Sequence, residues 1–203
     1  ITENPAPEFL DRLSKVCHFQ PPTKRGHDAV RGIKAMHAGQ AQVFIALGGN
    51  FLSATPDTEY TAQALSRCRL TVHISTKLNR AHLVTGTEAL ILPALGRTDT
   101  DLQEDIPQYV TTENTMGVVQ TSQGRLEPVS RFIKSEVNII ANLAKATFTN
   151  KKGPWEPINW DRLMHHYDDI RDLISRVVPG HDNYTERVNK PGGFYLANPI
   201  RDA

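Results

Sequence analysis

The chain has 203 residues, of which 39% are apolar and 22% charged, a composition typical of a globular protein able to bury a core. Its formal net charge of +1 argues against a dedicated nucleic-acid or membrane-surface protein. No apolar run approaches the roughly 20 residues needed to cross a bilayer, so we expect no membrane insertion and a cytoplasmic location. The first residue is Ile1, which we interpret as an internal start or the product of processing.

The two cysteines, Cys17 and Cys68, occur singly and far apart. They are too few for a disulfide framework, and no Cys-x-x-Cys spacing is present. We therefore expect no metal ligands, iron–sulfur cluster or structural zinc within this chain.

The first part of the chain predicts helices followed by a buried strand. A helix is predicted to begin near Pro7, and a second one covers His27–Ala38 and ends at Gly39. Ala41–Leu47 is an almost continuous apolar run of strand formers. That pattern is typical of a strand buried on both faces of a parallel sheet.

The pattern then alternates between helix and strand. A helix with Thr55 as N-cap and Pro56 at its first position leads to the strand Leu70–Ile74. A third strand, Glu88–Leu92, is closed by Pro93. This alternation indicates an α/β fold with a doubly wound, mainly parallel sheet flanked by helices.

The second half of the chain has weaker periodicity. Asp99–Thr115 is predicted to be a long loop, and a small strand is predicted at Gly117–Thr121. One helix is expected over Glu136–Phe148 and a further one after its cap Asn159. From Pro179 onward, glycine, proline, asparagine and charged residues predict an extended tail.

Gly48-Gly49-Asn50, hereafter the glycine turn, follows the first predicted strand and precedes a helix. In parallel α/β sheets, ligands bind at this position, and glycines allow close approach of a phosphate or a ring. The spacing matches neither the dinucleotide fingerprint nor the phosphate-loop signature. A tight turn that needs positive φ is the alternative interpretation.

His73, Ser75 and Thr76 lie at the end of the second predicted strand. If the first two strands are neighbours, an imidazole and two hydroxyls lie beside the glycine turn and can hydrogen-bond a ribose or a base edge. Alternatively, His73 is half buried in the strand and the hydroxyls cap the next turn.

Four stretches occur in a characteristic order and carry a family resemblance; they are HDAVRGIKAMHAGQAQVFIALGGN (27–50), LTVHISTKLNRAHL (70–83), EALILPALGRT (88–98) and QTSQGRLEP (120–128). Together they resemble the molybdopterin oxidoreductase superfamily, which includes formate dehydrogenases, nitrate reductases and dimethyl sulfoxide reductase. The similarity is greatest to a formate-dehydrogenase alpha-subunit-like group, and it is best between residues 27 and 143.

The resemblance implies a place within a larger enzyme. The chain resembles the third structural domain, one of two related α/β domains that each hold one of two molybdopterin guanine dinucleotides. The glycine turn would then lie against the cofactor's phosphate or ribose, and His73, Ser75 and Thr76 near its guanosine end. His73 departs from the family, because many relatives carry an aspartate there to pair with guanine, and Lys77–Leu83 replaces the usual Thr-Glu-Thr-Ala signature.

The resemblance also implies what lies elsewhere. The molybdenum ligand and the cysteines of any 4Fe–4S cluster would lie upstream, and a β-barrel domain downstream. Residues 1–26 would then lead in from the preceding domain, 27–150 would form the cofactor-binding domain, and 151–203 a helical extension and tail. The partners implied are neighbouring domains, the pterin cofactor and an electron-transfer subunit. The parent would be an enzyme, and the segment alone is expected to be inactive.

Two alternatives remain open from the sequence. One is a non-catalytic relative, kept as a scaffold of an electron-transfer complex after loss of the cofactor. The other is an unrelated nucleotide-binding middle domain, like those of thiamine-diphosphate enzymes.

Overall fold

The structure is a computed structural model that describes residues 3–148 and 158–197. Its helices are α1 (Pro7–Cys17), α2 (Ala29–His37), α3 (Phe51–Ala54), α4 (Thr58–Ser66), α5 (Glu136–Phe148), α6 (Trp160–His165), α7 (Tyr167–Val177) and α8 (Tyr184–Val188). Its strands are β1 (Val43–Leu47), β2 (Leu70–Ser75), β3 (Glu88–Pro93), β4 (Asp101–Gln103), β5 (Ile106–Gln108), β6 (Val110–Glu113), β7 (Val118–Ser122) and β8 (Phe194–Tyr195). A short 3-10 helix, Arg80–Leu83, follows β2. No helix in the described part is long and apolar enough to span a bilayer.

The chain forms two compact units. The first contains Arg25–Leu95 and Phe132–Glu136 with the start of the chain, and the second contains Pro5–Lys24, Gly96–Arg131 and Val137–Ala203. The predicted domain boundary after residue 150 lies outside the described residues, so the division into three consecutive parts stays a prediction.

The first unit holds a parallel sheet in the order β1-β2-β3. Leu47 of β1 is paired with Ile74 of β2, and Ser75 of β2 with Pro93 of β3, so the three strands end at the same edge. Helices α3 and α4 connect β1 to β2, as a parallel pair requires. The α/β prediction, a parallel sheet flanked by helices, is confirmed.

Helices α2 and α4 pack over one face of this sheet. Their buried side chains form an apolar cluster with partly buried Phe44 of β1; its members are Ile33, Met36, Leu52, Ala64, Leu65, Cys68 and Ala81. Helix α4 begins two residues later than predicted, because the Asp57 carboxylate accepts from Tyr60 N–H and serves as N-cap in place of Thr55. The Thr55 hydroxyl instead donates to Leu52 O at 3.2 Å.

The prediction that β1 is buried on both faces is wrong for this chain. Val43, Ile45 and Leu47, which alternate along one face of the strand, are 56%, 45% and 53% exposed. Phe44 on the other face packs into the apolar cluster. β1 is an edge strand of this sheet, and the described residues leave its second apolar face open.

The second unit has two small antiparallel sheets, β4-β5 and β6-β7-β8. The predicted loop Asp99–Thr115 is therefore wrong, since β4, β5 and β6 lie within it. A two-residue turn, Glu104-Asp105, joins β4 and β5, and both residues have positive φ (50° and 63°). Hairpin turns of that kind favour Asn-Gly, so Glu-Asp gave no turn signal. The small strand predicted at Gly117–Thr121 is confirmed as β7.

The C-terminal prediction is confirmed in part. Asn159 caps a helix as expected, with its Oδ1 accepting from Arg162 N–H at 3.0 Å. The helix stops at His166, whose extended backbone separates α6 from α7. The extended tail predicted from Pro179 is wrong for residues 179–197, which contain α8 and β8. Three of its side chains are buried with Val119, which explains why the segment folds; they are Tyr184, Val188 and Phe194.

Candidate functional site at the carboxyl edge of the parallel sheet

The candidate site lies in the first unit, where the parallel strands end. The glycine turn follows β1, Ser75 and Thr76 end β2, and Ala94 follows β3. Residues 132–136 return beside β3, with Ala94 paired in parallel with Lys134 and Leu95 N–H donating to Lys134 O at 3.0 Å. We call these residues the carboxyl edge. Four chain segments that are distant in sequence thus meet where ligands bind in open α/β sheets.

The glycine turn adopts a backbone conformation that side chains rarely allow. Gly48 and Gly49 have φ of +67° and +69°. Gly48 N–H donates to Ile74 O at 2.8 Å, which fixes the turn to the neighbouring strand. A Cβ at Gly49 would meet no atom within 4 Å, so the backbone there faces open space.

The turn also offers backbone donors. Within the described part of the chain, neither Gly49 N–H nor Asn50 N–H donates to a protein acceptor. The Asn50 side chain is turned back toward its own helix, where its Oδ1 accepts from Ser53 N–H at 3.4 Å. Neighbouring N–H groups of this kind suit an anion or an electronegative ligand atom.

The sequence-predicted residues of β2 take three different positions. The Ser75 hydroxyl donates to Lys77 O at 2.7 Å, so it closes the following turn. Thr76 is exposed at the carboxyl edge. His73 is only 3% exposed, and its ring contacts Phe44 and His82 instead of lying at the edge. The structure therefore brings the glycine turn, Ser75 and Thr76 together and places the His73 ring in the core.

His73 is packed against two other rings. Phe44 contacts it edge-on at 6.0 Å between centroids, and the His82 ring lies 4.7 Å away. Burial, and then the neighbouring His82, lowers the pKa of His73. The two Nε2 atoms are buried and have no hydrogen-bond partner among residues 3–148 and 158–197. His82 was not expected at the site, because nothing in the spacing of residues 73 and 82 indicates contact.

Glu136 is the acidic group at the carboxyl edge, and the sequence did not predict it there. Its Oε1 is 3.7 Å from the position of a Cβ on Gly48. The side chain is exposed and forms no ion pair within the described residues. A phosphate beside Gly48 would be repelled by this carboxylate, whereas hydroxyl or N–H donors would be accepted. Gly48 and Glu136 are 88 residues apart, so only the fold reveals their proximity.

Two exposed lysines lie at the same edge. Lys77 follows Thr76, and Lys134 is joined to β3 through its backbone. Neither forms an ion pair in the part of the chain that the structure describes. The carboxyl edge therefore carries both cations and a carboxylate, which suits a ligand with separate anionic and donor-bearing ends.

A cleft of about 670 Å³ occurs in the second unit, between α1 and helices α6 and α7. It is lined by apolar side chains and by the ion pair of Arg162 with Asp169, at 2.6 Å. Burial raises the pKa of Cys17 in its wall, and Arg176 opposes that change only in part. A thiol of raised pKa is a weak nucleophile, so Cys17 is not activated for catalysis. Among residues 3–148 and 158–197, no three metal-ligating side chains converge.

The chain aligns over all or nearly all of its length with known proteins. The chain is 49% identical over all 203 residues to a Mycobacterium tuberculosis H37Rv protein named uncharacterized oxidoreductase Rv2900c, and covers 26% of its length. It is 41% identical over 198 residues, 98% of the chain, to Protein YdeP of Escherichia coli K12, and covers 25% of that protein. No family model matches the chain.

The chain thus spans about a quarter of the length of the curated relatives it matches. Its alignment with the mycobacterial protein includes both units and the entire carboxyl edge. The chain is therefore similar, from end to end, to one part of larger proteins, some of which are named oxidoreductases.

Proposed function

We propose that this chain is an internal α/β domain of a molybdenum-dependent oxidoreductase related to formate dehydrogenase alpha subunits. In this proposal its carboxyl edge binds part of a molybdopterin guanine dinucleotide. The observation that carries the proposal is the glycine turn at the end of a parallel strand, where Gly48 and Gly49 have positive φ and the N–H groups of Gly49 and Asn50 donate to no described residue. The end-to-end similarity to a protein named an oxidoreductase supports the redox class.

The residues present fit the nucleotide end of such a cofactor. The open space at Gly49 admits a bulky group against the backbone. The free N–H groups of Gly49 and Asn50, with Lys77 and Lys134, would hold the diphosphate. Glu136 would accept from the ribose hydroxyls or guanine N–H groups. Because His73 is buried, Glu136 would make the base contact that the resemblance assigns to His73.

The chain's part in catalysis would be binding and orientation. A bound molybdenum–pterin group would supply two-electron redox chemistry, and no residue of this chain is assigned a catalytic role. Neighbouring domains of the same polypeptide and an electron-transfer subunit would complete the enzyme, which we place in the cytoplasm.

The first test is elemental and pterin analysis of the natural full-length protein, purified from a host that makes the cofactor. The proposal expects about one molybdenum or tungsten atom and about two guanine-dinucleotide pterins per chain. A well-folded protein with neither metal nor pterin would overturn it and favour a scaffold that has lost the cofactor. Selective binding of adenine nucleotides would favour an unrelated nucleotide-binding domain.

Two matched variants test whether the glycine turn is the binding element. Gly49→Asn places a side chain in the open space, and asparagine tolerates positive φ better than most residues. Gly39→Asn is the control, because Gly39 has φ of +72°, also faces open space, and lies after α2 instead of at the carboxyl edge. We expect Gly49→Asn to lower the pterin content about tenfold, the effect of losing about 1.4 kcal/mol of affinity, and Gly39→Asn to leave it unchanged. Equal pterin contents in the two variants would exclude the turn.

A further inference from the structure

Asn79 joins the glycine turn to the segment that follows β2. Its Nδ2 donates to Gly49 O at 2.9 Å, across 30 residues of sequence. Its Oδ1 accepts from Ala81 N–H at 2.9 Å, at the start of the 3-10 helix. Both ends of the amide are therefore engaged, and the side chain is held in one orientation.

The hydrogen bond to Gly49 O also controls a donor. Gly49 C=O and Asn50 N–H belong to one planar peptide group and point in opposite directions. Fixing the carbonyl toward Asn79 therefore fixes the direction of Asn50 N–H, one of the free donors of the turn. Glycine permits either orientation of this peptide, so without Asn79 the group could rotate and present its carbonyl instead.

His82 contacts the backbone of Asn79. Asn79 N–H donates to His82 Nδ1 at 3.0 Å, which requires an unprotonated Nδ1 and places the ring proton on Nε2. His82 Nδ1 also lies 3.2 Å from Asn79 O. A ring protonated on Nδ1 would engage that carbonyl and lose the N–H bond. The tautomer of His82 thus determines which backbone group of Asn79 it holds.

Packing holds the His82 ring in place. It is only 9% exposed, and the His73 ring lies against it at 4.7 Å between centroids. This packing keeps His82 Nδ1 within 3.0 Å of Asn79 N.

We propose that Asn79 and His82 are positioning residues that orient the Gly49–Asn50 peptide, so that a backbone donor of the glycine turn faces the ligand. The identity of that ligand, a molybdopterin guanine dinucleotide, rests on the proposed function, whereas the contacts that fix the peptide are a property of the chain itself.

The test uses the full-length protein and hydrogen–deuterium exchange of peptides that cover residues 48–54. Asn79→Asp keeps the acceptor for Ala81 N–H but replaces the donor to Gly49 O with an oxygen that repels it. We expect amide exchange in the turn to rise about five- to tenfold, with unchanged exchange in β2 and β3. The control is Asn159→Asp, the same chemical change at a helix cap of the second unit, where aspartate caps equally well.

Two variants of His82 separate its positioning role from simple packing. An asparagine side chain has an oxygen near the position of Nδ1, so His82→Asn can still accept from Asn79 N–H, whereas His82→Leu cannot. We expect His82→Leu to raise exchange in residues 48–54 and His82→Asn to restore most of the protection. If both behave alike, the hydrogen bond from Asn79 N–H is not what positions the turn, and the role of His82 is overturned.

Pterin content separates this proposal from the proposed function. In a wild-type protein that contains pterin, Asn79→Asp and His82→Leu should each lower its retention about tenfold, and His82→Asn much less. Raised exchange with undiminished retention would contradict the positioning role. If wild-type protein contains no pterin, the proposed function fails, and the exchange data still decide whether Asn79 and His82 fix the turn.

Discussion

The core of the first unit is one apolar cluster whose buried members lie between residues 33 and 81, whereas the second unit adds to its smaller apolar cluster a set of buried polar side chains from distant positions. In the first unit, fully buried Leu65 and Cys68 belong to the cluster that packs over the parallel sheet. In the second unit, buried Arg171 donates to Asp168 and to Tyr109 O, 62 residues away, and lies over the Tyr109 ring at 3.9 Å.

Further hydrogen bonds extend the contrast. The Tyr167 hydroxyl donates to Asp101 Oδ2 at 2.5 Å, and Tyr167 N–H donates to Gln108 Oε1 at 3.1 Å. Asn138 Nδ2 donates to Gln103 Oε1 in the same unit at 3.1 Å, and both residues are buried. An apolar core tolerates neighbours of many shapes, whereas a buried polar network loses stability whenever one partner is removed. The two units should therefore respond to different kinds of substitution.

The largest effect is expected from a cavity in the first unit. Leu65→Ala removes a side chain with no exposed surface and should cost about 2–5 kcal/mol of local stability. Leu83→Ala is the control, because Leu83 is 86% exposed and its loss should cost less than about 0.5 kcal/mol. Native-state hydrogen exchange of peptides from α4 and β2 measures both. Similar losses for the two variants would mean that the apolar cluster does not hold this unit together.

The second-largest effect is expected from the polar network. Arg171→Met keeps the bulk of the side chain but leaves Tyr109 O without its donor, and should cost about 2 kcal/mol. Asp168 is more than half exposed, so water can replace the arginine there and limits the loss. Arg12→Met is the control. It removes an exposed ion pair with Glu8, and the loss should cost about 0.5 kcal/mol or less. Exchange in β5, β6 and α7 should increase only for Arg171→Met; an unchanged rate would remove the contrast between the units.

A smaller loss of stability is expected from removing a single tyrosine hydroxyl group. Tyr167→Phe deletes the donor to Asp101 in the second unit and should cost about 1 kcal/mol. Tyr60→Phe in the first unit is the matched control, since the Tyr60 ring stacks on His37 and its hydroxyl has no hydrogen bond in the described residues. Exchange of the peptides around each residue measures the difference. A loss at Tyr60 equal to that at Tyr167 would show that the hydroxyl bond is not the cause.

The same contrast explains which elements the sequence could predict. The strands β1, β2 and β3 were predicted because apolar runs and intervening helices repeat at short range. The strands β4, β5 and β6 were missed because their sequences, DLQ, IPQ and VTTE, are too short to show apolar alternation. Their stability comes from partners such as Tyr167 and Arg171, whose pairing no local pattern indicates.

The candidate site divides in the same way. The glycine turn was found from sequence, because two glycines after an apolar run mark both a strand end and a positive φ. Glu136 and Asn79 were not found from sequence, since each is distant from the turn in sequence and only the fold brings it there. The sequence left the position of His73 open between burial in the strand and a ligand contact, because a histidine among the apolar residues of β2 can face either the core or the edge.

The smallest effect at neutral pH is expected from the polar exception inside the apolar unit. The pKa of His73 is lowered by burial and by His82, from an ordinary value of 6.5. The folded ring is therefore neutral at a pH where the unfolded chain binds a proton. Its contribution to stability is complete above pH 6.5 and is lost progressively as the pH falls below that value.

Exchange protection of β2, corrected for intrinsic rates, should accordingly decrease between about pH 7.5 and about pH 5.5. His73→Gln has no titrating ring and should flatten this dependence, whereas His27→Gln, at an exposed position of the same unit, should preserve it. If the decrease persists in His73→Gln, protonation of His73 is not its cause, and His73 is an ordinary core residue. If the decrease disappears, protonation of one buried imidazole is what lowers the stability of the first unit in acid. At neutral pH its stability then comes from the apolar cluster.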